Sequence, residues 1–154
     1  MSKDGKIDAG ESKNQLNWNE FDRGVFLINC LAVIYKDGKI LIGKREDDKY
    51  IKNLSWCFPG GRPSYEDELE DYLKLEVKKK TNLDIVVKEI IFAKTYPEDR
   101  QFLSIYYLTE VVGGEEWAGE KFVELKWVEP KDIKKYFTTS IHPELYKKIM
   151  GYEK

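Results

Sequence analysis

Pro59-Gly60-Gly61-Arg62, followed downstream by Glu76-Val77-Lys78-Lys79-Lys80-Thr81-Asn82-Leu83, is the stretch on which the reading of this chain turns. Paired glycines mark a tight turn at which main-chain groups can approach another group closely. Ser64 and Asp67 have capping-box spacing, which predicts a helix from about Tyr65 to Lys80, with Asn82 as a left-handed C-cap. At about 100° per residue, Tyr72, Leu73 and Val77 fall within about 80° of Leu69 and make one apolar stripe. Glu76 and Lys80 lie inside that stripe. Charges on the buried side of a helix are costly unless paired or lining a cleft, so this turn of helix is where a site is expected.

Working outward, Val25 to Tyr35 is a β-branched-rich apolar run, broken by Lys36-Asp37-Gly38-Lys39 and resumed by Ile40-Leu41-Ile42-Gly43-Lys44-Arg45. Asp-Gly between two such runs signals a hairpin. Glu46 to Ser55 is polar and reads as a loop, and Trp56-Cys57-Phe58 as a short strand entering the glycine turn. Beyond Asn82, apolar strands are predicted at Ile85 to Val87, Glu89 to Thr95, Phe102 to Val112 and Glu120 to Val128. Pro130 and Lys131-Asp132-Ile133 open a short helix, and a last helix spans Pro143 to Met150. Helices alternating with strands imply an α/β/α sandwich around a mixed sheet. Residues 1–16 are polar and aperiodic and read as a flexible tail, leaving one domain over 17–154.

Composition narrows the function classes. The chain has 154 residues, is 42% hydrophobic and carries a formal net charge of −2, with both signs spread throughout. That suits a single core and argues against an obligate nucleic-acid binder, which would concentrate basic charge. No long apolar run or charged-then-apolar leader is present, so a cytoplasmic protein that does not enter a membrane is expected. Cys30 and Cys57 sit in apolar contexts without a Cys or His at metal spacing, and read as buried free thiols.

The central stretch resembles the Nudix box, whose pattern is Gly, five residues, Glu, seven residues, Arg-Glu-apolar, one residue, Glu-Glu, one residue, Gly-apolar. Gly61 falls on the first glycine, Asp67 on the first Glu, Leu75-Glu76 on Arg-Glu, Lys79-Lys80 on Glu-Glu and Asn82-Leu83 on Gly-apolar. Gly43-Lys44-Arg45, Trp56 ahead of Phe58-Pro59-Gly60-Gly61, the strand from Leu103 to Leu108, and Val123 to Val128 are also similar to the family, extending the resemblance over roughly residues 25 to 150. The resemblance implies an α+β fold, the Nudix α/β/α sandwich, and hydrolysis of a nucleoside diphosphate linked to another moiety with Mg2+ or Mn2+ as cofactor. Gly60-Gly61-Arg62 and Ile141-His142 are faintly similar to the GDP-mannose mannosyl hydrolase branch, in which a histidine assists glycosyl displacement. Of the three box positions that usually ligate metal in this family, Glu76 alone remains a carboxylate.

Glutamates three and four residues apart on a helix project to one side and can share a hard cation. Glu76, Lys79 and Lys80 keep that geometry with two signs reversed, so weak or absent Mg2+ or Mn2+ binding at the box is expected. Two readings of the lysines stay open: they supply in place of a cation the charge that holds a diphosphate, or they complement the helix dipole while Lys80 pairs with Glu76. Gly60 and Gly61, and two of the four arginines, Arg45 and Arg62, are the further candidate ligand contacts, since arginine suits bidentate phosphate recognition. Glu76, Glu120, Glu124 and His142 are the candidate catalytic groups, with Glu66, Glu70, Glu115 and Glu116 as other carboxylates in reserve. Tyr96 and Tyr107 are candidates for stacking on a base. The alternative to a hydrolase is a catalytically silent Nudix domain that binds a nucleotide ligand or a protein partner, and a homodimer is left open.

Overall fold

A computed structural model describes residues 24–46 and 55–152. The expectations for residues 1–16 and for most of the Glu46–Ser55 loop lie outside those residues. Among the described residues seven strands form one mixed sheet: β1 (Leu27–Lys36), β2 (Lys39–Arg45), β3 (Trp56–Cys57), β4 (Gly60–Gly61), β5 (Asp84–Tyr96), β6 (Asp99–Gly113) and β7 (Phe122–Val128). Helix α1 covers Leu69–Thr81, a 3-10 helix covers Pro130–Lys135, and α2 covers Pro143–Met150.

The Asp37-Gly38 turn predicted from the sequence closes the β1–β2 hairpin, with Asp37 at φ 52° and Gly38 at φ 78°. Positive φ at both central residues matches the right-handed strand twist. Away from that turn the two strands part. β2 takes β3 and β7 as antiparallel neighbours, while β1 takes β4, with Cys30 opposite Gly61 and Leu31 opposite Gly60. The segment from Cys57 to Gly60 therefore crosses from the β2 side of the split to the β1 side. β1 also pairs in parallel with β6 from Leu27–Phe102 to Tyr35–Glu110, and this parallel pair makes the sheet mixed.

Period-two alternation along β1 sends its residues to two cores. Cys30, Ala32 and Ile34 face α1, where Leu73, Val77, Leu83 and Tyr107 join them. Val33 faces the other side with Ile40, Ile42, Tyr106, Val128 and the α2 residues Leu145 and Ile149. Full burial of Leu73 and Val77 contributes roughly 1.5–3 kcal/mol each, which fixes the face that α1 turns to the sheet. The result is the expected sandwich, with helices on both faces.

Two local readings need correction. Ser64 and Asp67 do bond, Ser64 N–H donating to Asp67 Oδ2 at 2.7 Å, but the contact closes a turn upstream of the helix. Helix α1 starts at Leu69, four residues later than Tyr65. Capping-box spacing thus marked the local bond but not its place, because a two-residue turn satisfies it as well as a helix does. Asn82, at φ 64°, ends α1 as expected, and its N–H donates to Lys78 O. β5 is continuous from Asp84 to Tyr96, because bulges absorb the break expected near Lys88.

Candidate functional site

A cleft of about 740 Å³ opens where β1 and β2 part. Gly60-Gly61 and α1 form its floor. The Tyr96–Asp99 end of the β5–β6 hairpin, the turn before β7, and the segment leading into α2 form its rim.

Gly60 is pressed against β1 so closely that a Cβ there would lie 2.0 Å from the Cys30 carbonyl oxygen. At Gly61 a Cβ would lie 2.3 Å from the Tyr72 hydroxyl and 3.1 Å from Glu76 Oε1. Only glycine lets the turn lie against α1, and this brings backbone and helix side chains together. The cleft side of α1 presents Tyr72, Glu76 and Lys80, four residues apart on one face.

Glu76 is buried, with 12% of its side chain exposed. Lys80 Nζ is 3.4 Å from Glu76 Oε1 and also donates to the carbonyl of Gly60, twenty residues away. Lys79 Nζ is 3.3 Å from Glu76 Oε2. The two lysines are not equivalent: the Lys80 side chain is 15% exposed and that of Lys79 55%. Lys80 is thus bound to both the helix and the turn, whereas Lys79 approaches Glu76 from solvent.

The loop before β7 closes on the end of α1. Gly119 N–H donates to Lys80 O at 2.8 Å, Glu120 N–H to Lys79 O at 3.1 Å and Trp117 N–H to Thr81 O at 3.1 Å. These bonds satisfy helix-end carbonyls that have no partner within the helix. They also bring Glu120 and Lys121 to the cleft. Of Glu66, Glu70, Glu115, Glu116, Glu120 and Glu124, Glu120 alone lines it. Glu124 is exposed on β7, paired in register with Lys44, away from the lining. His142 lies outside the lining too: its Nδ1 accepts the Glu144 N–H at 3.0 Å to cap α2, and its ring centroid is 5.0 Å from that of Phe92.

Arg45 and Arg62 both reach the cleft. The Arg62 guanidinium lies 4.4 Å from the centroid of Phe102, a cation–π contact, and its Nε donates to Asn29 Oδ1 at 3.4 Å. Cys57 sits beside Arg45 and Lys80, yet burial pushes its thiol up to about 11 against the pull of those two cations. It is a protonated wall of the site at neutral pH, unsuited to act as a nucleophile. Burial likewise raises Tyr72 to about 12, with the Glu76 charge adding to the effect.

Several lining residues escaped the sequence reading. Glu98 and Asp99 arrive through the β5–β6 hairpin, and hydrogen bonds from Ser140, first its side chain, hold Glu98 below the usual carboxylate range. Tyr96 lines the cleft as expected, with its hydroxyl 3.1 Å from that of Tyr106. Tyr107 does not. It is buried on the α1 face, and its neighbour Tyr106 takes the cleft position, because adjacent strand residues point to opposite faces. Phe102 and Phe137 complete an aromatic side to the cleft.

The donor set does not suit a divalent cation. Hard cations want several oxygens, whereas here one carboxylate is held by two ammonium groups and the facing carbonyl is already bonded to one of them. Among the described residues no three Asp, Glu, His or Cys side chains are grouped as a metal would require.

A mixed sheet between helices, with a glycine turn laid against one buried helical glutamate, defines the class. The family model for the NUDIX domain matches residues 26–149, and the chain belongs to the Nudix family. It is 27% identical over 116 residues to nucleoside triphosphatase NudI of Escherichia coli O139:H28, a match spanning 68% of this chain and 82% of that protein. Among solved structures, a NUDIX hydrolase from Nitrosomonas europaea is similar with a TM-score of 0.69 at 15% identity, over 82% of this chain and 72% of that one. A UDP-X diphosphatase is similar with a TM-score of 0.65 at 15% identity, over 96% of this chain and 73% of that one. At such identity the structural likenesses speak for the fold alone.

Proposed function

We propose that this Nudix domain binds a nucleoside diphosphate linked to a second moiety, and that its box is not equipped for metal-assisted hydrolysis. The observation that carries this reading is the Lys80 ammonium, seated between the Glu76 carboxylate and the Gly60 carbonyl. Arg45, Arg62 and Lys121 add cationic groups that suit a diphosphate, and Tyr96 and Phe102 offer ring faces for a base. Lys79, half exposed, can swing from Glu76 to a phosphate at little cost, since a solvated ion pair is weak. The names of the similar proteins, a nucleoside triphosphatase and a UDP-X diphosphatase, support a nucleotide as the ligand class. Two free cysteines suit a cytoplasmic setting.

A hydrolase reading is favoured by a different observation: Glu98, Asp99 and Glu120 line the same cleft, and Glu120 stands beside the end of α1. One of them acting as base on water, with Mg2+ or Mn2+ held outside the box, would preserve activity. The deciding experiment is a hydrolysis screen with Mg2+ and Mn2+ over nucleotide sugars, dinucleoside polyphosphates and nucleoside triphosphates, beside thermal-shift binding on the same compounds. Binding without turnover is expected. Metal-dependent turnover of any compound would overturn the silent-box reading, and neither binding nor turnover would overturn the choice of ligand class.

A further inference from the structure

We infer that Lys80 is the resident cation of this cleft: its ammonium occupies the place between the Gly60 carbonyl and the Glu76 carboxylate that a divalent ion would need. The inference rests on the binding reading only for its consequence that ligand binding requires no divalent ion.

Two hard oxygens, one from the turn and one from α1, converge on a single Nζ. A surface lysine at a helix end reaches water or a neighbouring carboxylate, but Lys80 reaches across to a backbone carbonyl twenty residues away and is itself largely buried. The approach depends on Gly60, whose carbonyl can point at α1 because no side chain holds the turn away from β1. An ammonium offers three donors and one charge, which suits a carbonyl and a carboxylate oxygen together. A divalent ion entering the same place would have to displace that ammonium and remain close to it, with Lys79 adding a second like charge 3.3 Å from Glu76. Lys80→Glu reverses this situation, because the introduced carboxylate would join Glu76 at i,i+4 spacing beside the Gly60 carbonyl and give three oxygens to one ion.

The test uses the full chain and Mn2+ alone, without nucleotide, so its failure is distinguishable from failure of the ligand reading. Free Mn2+ is followed by its electron paramagnetic resonance signal during protein titration, and Tm is measured with and without the ion. The unmutated protein is expected to show no Mn2+ binding that depends on Glu76. Lys80→Glu should raise affinity by about tenfold or more, with a matching Mn2+-dependent rise in Tm, and adding Glu76→Gln should abolish both. Lys79→Glu is expected to give the smaller gain, since Lys79 does not touch the carbonyl. Mn2+ binding by the unmutated protein that Glu76→Gln removes would overturn the inference. So would a folded Lys80→Glu without a gain, or an equal gain from Lys79→Glu, which would reduce the effect to net charge. Should Lys80→Glu not fold, Lys80→Gln takes its place: Mn2+ stabilisation of that variant supports the inference, and its absence overturns it.

Discussion

Removing the Lys80 ammonium while keeping its stem, as in Lys80→Met, should destabilise the fold by about 2–4 kcal/mol. At 3.4 Å, the attraction between Lys80 Nζ and Glu76 Oε1 is about 5 kcal/mol for an effective dielectric of about 20. Part of that is returned because the ammonium no longer has to be desolvated, although the carboxylate stays buried and has lost its better partner. Lys79 compensates weakly, as a half-exposed pair is worth about 1 kcal/mol or less. The Gly60 carbonyl also loses a donor, which costs about 1 kcal/mol. For a domain of this size a loss of about 3 kcal/mol lowers Tm by about 6–12 °C. Neutralising the orphaned charge should recover much of it, so Lys80→Met in a Glu76→Gln background is expected to cost only about 1 kcal/mol. Urea denaturation of the two single variants and the double variant at pH 7, in low and moderate salt, completes the cycle. Lys80→Met within about 0.5 kcal/mol of the unmutated protein, or strict additivity in the cycle, would refute the reasoning, because either result would make the Glu76–Lys80 contact an ordinary solvated helix pair.

The alkaline limb of stability should carry the signature of the buried acids around the site. Cys57 rises on folding from 9 to about 11, so the native state keeps a proton that the unfolded chain loses; its contribution is intact below about pH 9 and disappears as pH climbs to about 11, and Cys57→Ala should flatten that part of a Tm-against-pH curve. Gly61→Ala should cost about 1–3 kcal/mol in chemical denaturation, since its Cβ would meet the Tyr72 hydroxyl at 2.3 Å, and Tyr72→Phe in the same chain should recover part of the loss. Arg62→Ala and Phe102→Ala are each expected to weaken nucleotide binding by about tenfold in isothermal titration, because they share one cation–π contact at the cleft; combining them should then add little.

What the sequence made legible was local. The Asp37-Gly38 turn, the Asn82 cap and the Pro143 start of the last helix each depend on a few neighbouring residues with restricted dihedrals, and each falls where expected. Lys80 was legible as a partner of Glu76 by its i,i+4 spacing, but its bond to Gly60 was not, because no local pattern encodes where a turn will lie against a helix. Glu98 and Asp99 were missed for the same reason: a hairpin tip reaches the cleft only because β5 and β6 are long enough to carry it there. Tyr106 and Tyr107 show a limit of a different kind. Both are aromatic and adjacent, so alternation guarantees that they face opposite ways without saying which one faces the cleft.

Charge at the end of α1 then bears on what kind of molecule the cleft can hold. One carboxylate and two ammonium groups within a single turn carry a net charge of about +1, which attracts a diphosphate and repels a dication. In a cleft that uses metal, cation and diphosphate arrive as mutual partners; with Lys80 in the role proposed for it, the first positive charge is covalently part of the chain and is oriented before any ligand enters. Such preorganisation favours binding, since no ion has to be recruited and little side-chain freedom remains to be lost at Lys80. It disfavours hydrolysis at the box by the same geometry. An ammonium cannot activate a water as a metal ion would, and Glu76, ion-paired with both lysines, is poorly placed to take a proton from one. Any base in this cleft would therefore come from the other carboxylates of its lining, Glu98, Asp99 and Glu120.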